Sequence, residues 1–348
     1  MSQVRIAVAG AGLIGLRHIE EIEASPVAKL ASIVDPGPGG PGVARKYSVP
    51  LYQNLAELFE KDKPDGVILA TPNRLHVDGG LDCVREGVPV IVEKPIGDTV
   101  EGATRLVEAG EAASVPVLTG HHRNYSSIMA KSRAVVQSGR LGSIVAVVGT
   151  AMFYKPDSYF EENGGWRRQP GGGPILLNLV HEVNNLLSLV GDVVRVQAAT
   201  SNATRGFPVE DTAAIILTFA NGALGTFLLS DAAASPRSWE QTSQENQSYA
   251  SYPDEDCYHI AGTNGSLSIP TMRLKVYGGE RSWWQPFETS VIGLERTDPL
   301  ASQIQHFAAV IRGEAEPICT GRDGLKTLRV VAAVTESART GEPVDLAD

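Results

Sequence analysis

Residues 4–15 read VRIAVAGAGLIG. Val4, Ile6 and Val8 alternate as a strand requires, and Gly10, Gly12 and Gly15 follow in G-x-G-x-x-G register. Residues 13–24 then carry Ile14, Ile19 and Ile22 on one side of a helix. A glycine triplet alone is a weak signal, but between a strand and a helix it specifies a dinucleotide-binding turn. Gly10 permits the tight turn, Gly12 lets the backbone approach a pyrophosphate, and Gly15 packs helix against strand. The helix N-terminus adds free N–H groups and a positive dipole. Leu13 and Ile14 lie in the same turn and are counted with the glycines as cofactor contacts. Asp35 closes the second strand, about 20 residues past the last glycine, where a carboxylate accepts from the adenosine ribose hydroxyls. Its charge repels a 2′-phosphate, so NAD is expected as cofactor. Arg45 and Lys46, a short loop away, leave NADP open.

Outward from this turn the pattern repeats. Apolar runs at 30–34, 67–70, 90–92 and 117–119 alternate with helical stretches at 77–86 and 100–113. Such alternation means parallel crossover units, an α/β Rossmann domain with a doubly wound sheet. Residues 36–42 (PGPGGPG) are all Pro or Gly and read as a loop at the strand ends, where ligands bind in such sheets. After about residue 120 the rhythm changes. Residues 126–138 and 175–190 look helical, 144–154 looks like a long strand, and strand-like runs from 193 to 277 are separated by turn signals such as Asn221-Gly222. Strands without intervening helices predict an α+β C-terminal domain with a large, mostly antiparallel sheet. Residues 237–256 lack any period and are either a lid or a surface insertion. Two helices, 300–312 and 322–339, close the chain. The expected division is a dinucleotide-binding domain over 1–122 and a substrate-binding and oligomerisation domain over 123–348, with the final helices free to pack back on the first.

The 348 residues fit two domains, and the average composition needs no staple or metal to fold. The 30 Lys and Arg against 40 Asp and Glu give a net charge of −10. With no basic tract, nucleic acid and anionic membrane surfaces are poor partners. No apolar run is long enough for a membrane span, and the N-terminus enters a strand with no signal-peptide pattern. Three scattered cysteines (Cys83, Cys257, Cys319) suit a reducing cytoplasm.

Residues 90–97 read VIVEKPIG, placing Lys94 at the carboxyl end of a parallel strand. Together with GAGLIGLRH (10–18), ILATPNRLH (68–76) and GGGPILLNLVHEVNNLL (171–187), this resembles the glucose–fructose oxidoreductase, inositol dehydrogenase and MocA family over essentially the whole chain. The resemblance implies a catalytic role for Lys94, beside the nicotinamide ribose, and proton transfer by His181. It also implies that Thr71, Pro72, Asn73 and His76 line the cofactor, that Glu93 lies near it, and that the protein is a homodimer or homotetramer. One departure stands out: where many sugar and polyol members carry an aspartate four residues before the histidine, this chain has Leu177, with Asn178 one residue later. An asparagine binds a hydroxyl but takes no proton, which leaves a carboxylate-assisted mechanism in doubt.

The residue types make chemical sense without the family. Oxidising a secondary alcohol releases a hydroxyl proton as hydride leaves. Histidine, with a pKa of about 6.5, suits the acceptor role, and an ammonium steadies the developing alkoxide. Asn178 and His181, three apart on a helix, face one side and complete the catalytic set with Lys94. Tyr154, Trp166 and Arg167 precede the 171–173 glycines, and Arg123 and Tyr125 follow the strand at 117–119. With Asn178 and His181 they form the expected substrate contacts, and the guanidinium groups point to an anionic or densely hydroxylated small molecule. Alternatively, the arginines pair with Asp157, Glu161 or Glu162 on the surface. Adjacent His121 and His122 point to opposite faces of an extended chain, and no metal site is expected. The expected function is an NAD(P)-dependent dehydrogenase acting on CH–OH groups. The alternatives are an NAD-dependent glycosidase and a non-catalytic dinucleotide sensor.

Overall fold

Strands that carry apolar residues at every position need cover on both faces, and the first third of the chain supplies it. In the computed structural model, which describes residues 2–346, the chain divides into two units. One runs to Tyr125 and includes Thr297–Leu328; the other holds Ser126–Arg296 and the residues from Arg329 on.

The first unit contains β1 (Val4–Ala9), α1 (Leu13–Ala24), β2 (Ala28–Val34), α2 (Gly40–Tyr47), β3 (Leu51–Tyr52), α3 (Leu55–Asp62), β4 (Gly66–Leu69), α4 (His76–Arg85), β5 (Val90–Val92), α5 (Val100–Ala113) and β6 (Val117–Thr119). The six strands form a parallel sheet ordered β3-β2-β1-β4-β5-β6, the doubly wound arrangement read from the sequence. Every residue of β4, β5 and β6 is buried, as a sheet covered on both faces demands. Strand order reverses between β1 and β4, so the crevice at their carboxyl ends is the place for a ligand. The 36–42 segment is a loop only as far as Gly39. Gly40 opens α2, and Pro41 sits in its first turn, where a missing N–H leaves no bond unmade and the fixed φ is already helical.

In the second unit, α6 (Ser127–Gln137), β7 (Ile144–Met152), α7 (Asp157–Glu161) and α8 (Val180–Val190) precede β8 (Val193–Ser201), β9 (Thr212–Phe219) and β10 (Leu224–Ser230). The short α9 (Trp239–Thr242) leads to β11 (Tyr258–Gly262), β12 (Gly265–Ile269), β13 (Arg273–Val276) and β14 (Glu288–Val291). Of the pairings in this sheet, β10 with β7 is parallel and the rest are antiparallel, so the large, mostly antiparallel sheet is present. Its inner face packs Val147, Ile215 and Phe227 with Val183, Leu186 and Val190 of α8. Its outer face leaves Val145, Val148, Ile216 and Leu224 at least half exposed. The aperiodic 237–256 stretch is anchored at its start: Trp239 is buried, with its ring centroid 5.9 Å from that of Tyr258.

Towards the end of the chain, α10 (Pro299–Ile311) returns to the first unit, where Ile304, Phe307 and Ala308 join the core of Val4, Ile6, Ile19 and Ile22. The final helix, α11 (Gly321–Thr340), gives Leu325 and Leu328 to a separate core of the first unit, with Ala7 and Ala9 of β1 and Leu106 and Val107 of α5, and Val330, Val331 and Val334 to the core of the second unit. Among the described residues no helix is long and apolar enough to cross a membrane. All three cysteines are buried, free thiols.

Candidate active site

Register decides which residues share the ligand edge of the first unit. Ala9 is level with Leu69, and Leu69 with Val92, so the chain leaves three neighbouring strands side by side. Backbone bonds continue the alignment past the strand ends, from Ala70 N to Ala9 O (2.7 Å), Glu93 N to Leu69 O (2.9 Å) and Gly120 N to Val92 O (2.7 Å). Gly10, Thr71, Lys94 and the 121–125 turn therefore follow from one edge.

The glycine turn fits a dinucleotide. Gly10 has φ +93°, and a Cβ there would collide with the carbonyl of Ala70. A Cβ on Gly15 would strike the Gly10 carbonyl, so α1 approaches β1 only because that residue is glycine. A Cβ on Gly12 would meet nothing within 4 Å, which leaves its backbone open to a phosphate. Leu13 beside it is 82% exposed, while Ile14 turns partly inward. Asp35 accepts from Ala11 N through Oδ2 and from Gly37 N through Oδ1, both at 2.7 Å. Its carboxylate thus ties the glycine turn to the next loop. Thr71 Oγ1 is buried and has no hydrogen-bond partner among the described residues, and Asn73 is exposed in the turn after Pro72. His76, expected beside the cofactor, follows this turn at the start of α4. It is 1% exposed, and its ring nitrogens meet the carbonyls of Pro95 (2.7 Å) and Thr71 (2.8 Å), which makes it the clamp of that loop.

Behind Lys94 lies a buried polar pair that sequence reasoning did not assign. Glu93 Oε1 is 2.7 Å from His18 Nε2, and Glu93 Oε2 accepts from Lys94 N at 3.2 Å. Burial pushes the Glu93 carboxyl up, but the His18 hydrogen bond, with the charges of His18, His122 and Lys94, holds it below the usual range. The signal for His18 was present: it sits four residues from both Ile14 and Ile22, a polar residue on the inward stripe of α1. Arg123 and Tyr125 are buried in the turn after β6, Tyr125 with its ring 5.4 Å from that of His306.

In the second unit the helix carrying His181 begins unusually. Residues 175–179, expected to continue the helix, form a wider π-turn before α8, a form that recurs at functional sites. Glu210 Oε1 accepts from Ile175 N at 2.9 Å and fixes the entry. His181 and Glu182 are buried, and the Glu182 carboxylate accepts from the Tyr258 hydroxyl, which also accepts from Asn185 Nδ2 at 3.0 Å. Asn178 Oδ1 accepts from Lys155 Nζ at 2.6 Å, a bond absent from the sequence reading. The guanidinium groups are less available than their number implied. Arg167 donates to Tyr159 O (2.6 Å) and Glu162 (3.1 Å) and stacks on the Tyr159 ring, while Arg168 lies 3.7 Å from Glu161. The ion-pair alternative describes both. Trp166 and Tyr154 stay 44% and 51% exposed. No group of three or more metal-ligating side chains occurs among the described residues.

A glycine turn, an acid at the end of the second strand and a lysine at the sheet's carboxyl edge define a dinucleotide-dependent oxidoreductase. Residues 4–121 match the oxidoreductase family's NAD-binding Rossmann fold, and residues 133–346 its C-terminal alpha/beta domain. The chain belongs to the glucose–fructose oxidoreductase, inositol dehydrogenase and MocA family, and is an NAD(P)-dependent dehydrogenase. It is 25% identical over 341 residues to the rhizopine catabolism protein MocA of Rhizobium meliloti, covering 97% of this chain and 95% of that one. It is 26% identical over 359 residues to the scyllo-inositol 2-dehydrogenase (NAD(+)) of Bacillus subtilis (strain 168), covering 99% and 96%. The WlbA dehydrogenase of Bordetella pertussis, crystallised with NADH and UDP-GlcNAcA, has the same fold, with a TM-score of 0.78, 23% identity and 99% of each chain covered.

Proposed function

We propose that the protein transfers hydride between a secondary alcohol of a sugar, polyol or hydroxylated acid and NAD. The observation that carries this reading is Lys94, which leaves β5 at the same sheet edge as the glycine turn and Asp35. Bound nicotinamide accepts or returns the hydride. Lys94 holds the reacting oxygen and stabilises negative charge on it, and His181 accepts the hydroxyl proton at an imidazole nitrogen. Gly10, Gly12, Leu13, Ile14 and Gly15 cradle the pyrophosphate, with Thr71, Pro72 and Asn73 lining the cofactor. A panel of sugars, polyols and sugar acids with NAD and NADP, followed by absorbance of the reduced nicotinamide, tests it. No reduction with any member removes the reading.

The preference for NAD rests on Asp35. Residues 36–40 present no side chain able to hold a 2′-phosphate, and Arg45 and Lys46 are exposed in the last turn of α2. Asp35→Ser removes the repelling charge, so the NADP-to-NAD ratio of kcat/KM rises. Absolute NAD affinity falls as well, because the bond to Ala11 N goes with the carboxylate. An unchanged ratio refutes the assignment.

The half-exposed valines, isoleucine and leucine of the second sheet's outer face support a homodimer or homotetramer. Sedimentation at 37.0 kDa, the mass of one chain, at micromolar concentration counts against it. The three buried thiols accord with a cytoplasmic home.

A further inference from the structure

A helical turn opens with backbone N–H groups that no residue of the turn itself can accept. At the head of the π-turn Pro174 has no N–H, so Ile175 presents the first, and the proline beside it offers no side-chain acceptor. The acceptor comes from 35 residues further along the chain: Glu210 Oε1 lies 2.9 Å from Ile175 N. Glu210 stands on the connection between β8 and β9, and the residue after it is tied to the sheet. Asp211 N donates to Ser201 O at 2.8 Å, and Asp211 O accepts from Asp231 N at 3.0 Å. The Glu210 carboxyl reaches the turn over Gly173, where a Cβ would collide with both of its oxygens. That glycine makes the space the carboxyl fills. Burial pushes the Glu210 carboxyl up, the N–H groups of Ile175 and of Glu210 itself draw it back, and Asp231 and Asp211 add to the rise. A neutral amide of the same shape therefore suits the place as well as the carboxylate does.

We propose that Glu210 is a positioning residue for the reaction: seated over Gly173, it holds the head of the π-turn so that Asn178 keeps its place relative to His181. The turn runs from Ile175 to Leu179 and passes directly into α8, so Asn178 lies within it and His181 is the second residue of the helix that follows. At the far end Val183, Leu186 and Val190 are packed into the core. With Ile175 pinned at the near end, the five residues between keep their wider winding. Released at Ile175, the turn closes towards the ordinary α pitch, which rotates Asn178 about the helix axis away from His181. A misplacement of about 1 Å among groups that orient a substrate costs about a hundredfold in rate, so a lost anchor at residue 175 is read at residue 178. Glu210 acts through the backbone. The inference rests on the reading of Asn178 and His181 as substrate contacts.

Two readouts test it, one with turnover and one without. In Glu210→Ala, kcat on the best substrate of the panel falls about tenfold or more, while NADH binding stays within about twofold of native. The side-chain amide resonances of Asn178, identified by their loss in Asn178→Ser, move in the same variant. The imidazole resonances of His259, on the outer face of the same sheet, stay. Glu210→Gln keeps the acceptor and recovers most of the rate and the native resonances. Gly173→Ala pushes the carboxyl from its seat and reproduces the Glu210→Ala losses, and the double variant is no worse than the worse single one. Should Glu210→Ala fail to fold, Glu210→Asp, one methylene short of Ile175 N, takes its place with the same expectation. A native kcat or an unmoved Asn178 amide in that variant overturns the proposal. So does Glu210→Gln as damaged as Glu210→Ala, or losses that add in the double variant. No nicotinamide reduction by any panel member strikes the dehydrogenase reading instead, and the Asn178 amide then decides this one alone.

Discussion

Replacing Lys94 by methionine lowers turnover by about a hundredfold or more, while NADH binding, read by quenching of protein fluorescence, stays within a few-fold of native. A hundredfold is about 2.7 kcal/mol of barrier, the scale of losing one oriented charge beside a developing alkoxide. Methionine keeps the length and apolar stem of the side chain but has no charge and no N–H. The backbone features that place residue 94, the bond to Glu93 Oε2 and the β5 register, do not depend on its side chain. The loss therefore falls on kcat. Lys94→Arg, which keeps the charge but changes its geometry, falls between native and Lys94→Met. A near-native rate for Lys94→Met on the best substrate of the panel removes this lysine from the mechanism. A loss confined to NADH affinity reassigns it to cofactor binding.

The parts of this site legible in sequence are those set by local chain geometry. The glycine triplet, Asp35 and Lys94 each occupy a strand end, and strand ends are visible as breaks in apolar runs. What stayed hidden depends on contacts across the sequence. Glu93 meets His18 over a separation of 75 residues, and only the level ends of the parallel strands bring them together. Lys155 and Asn178 are 23 apart, joined by a strand end and a π-turn. That turn was invisible because five residues wound wider leave the apolar pattern of 175–190 nearly unchanged. The partners of Arg167 are hidden for a related reason: sequence shows how many cations gather, not which carbonyl or carboxylate engages each of them. Pro41 was misjudged as loop because a proline in the first turn of a helix looks the same as one outside it.

Stability of the cofactor-free protein falls steeply between pH 6.5 and about 4.5, and His121 and His122 are the principal cause. Burial, then the Lys94 charge, push His121 down to about 3, against a smaller opposing pull from Glu93 and with His122 and Arg123 adding to the fall. Burial and the Arg123 charge bring His122 to about 4, again opposed by Glu93 and assisted by Lys94 and His18. Both imidazoles are thus neutral in the folded chain across this window, whereas in the unfolded chain they gain protons below about 6.5. The unfolded state then binds more protons, so stability rises with pH and is lost on acidification. Each histidine contributes up to about 1.4 kcal/mol per pH unit, or about 2 kcal/mol between pH 7 and 4.5. Glu93 acts in the same direction but lower, since its depressed carboxyl loses its stabilising charge only below the usual carboxylate range. Urea unfolding at half-unit pH steps reads the slope. His122→Gln removes one titrating group from the unfolded chain and flattens that slope by about 1.4 kcal/mol per unit, whatever its effect on stability at pH 7. In the native protein the imidazole proton resonances of both histidines stay unshifted down to about pH 5. Two imidazoles titrating near 6.5 in the folded chain contradict this account, because groups that charge freely in place cannot couple acid to unfolding.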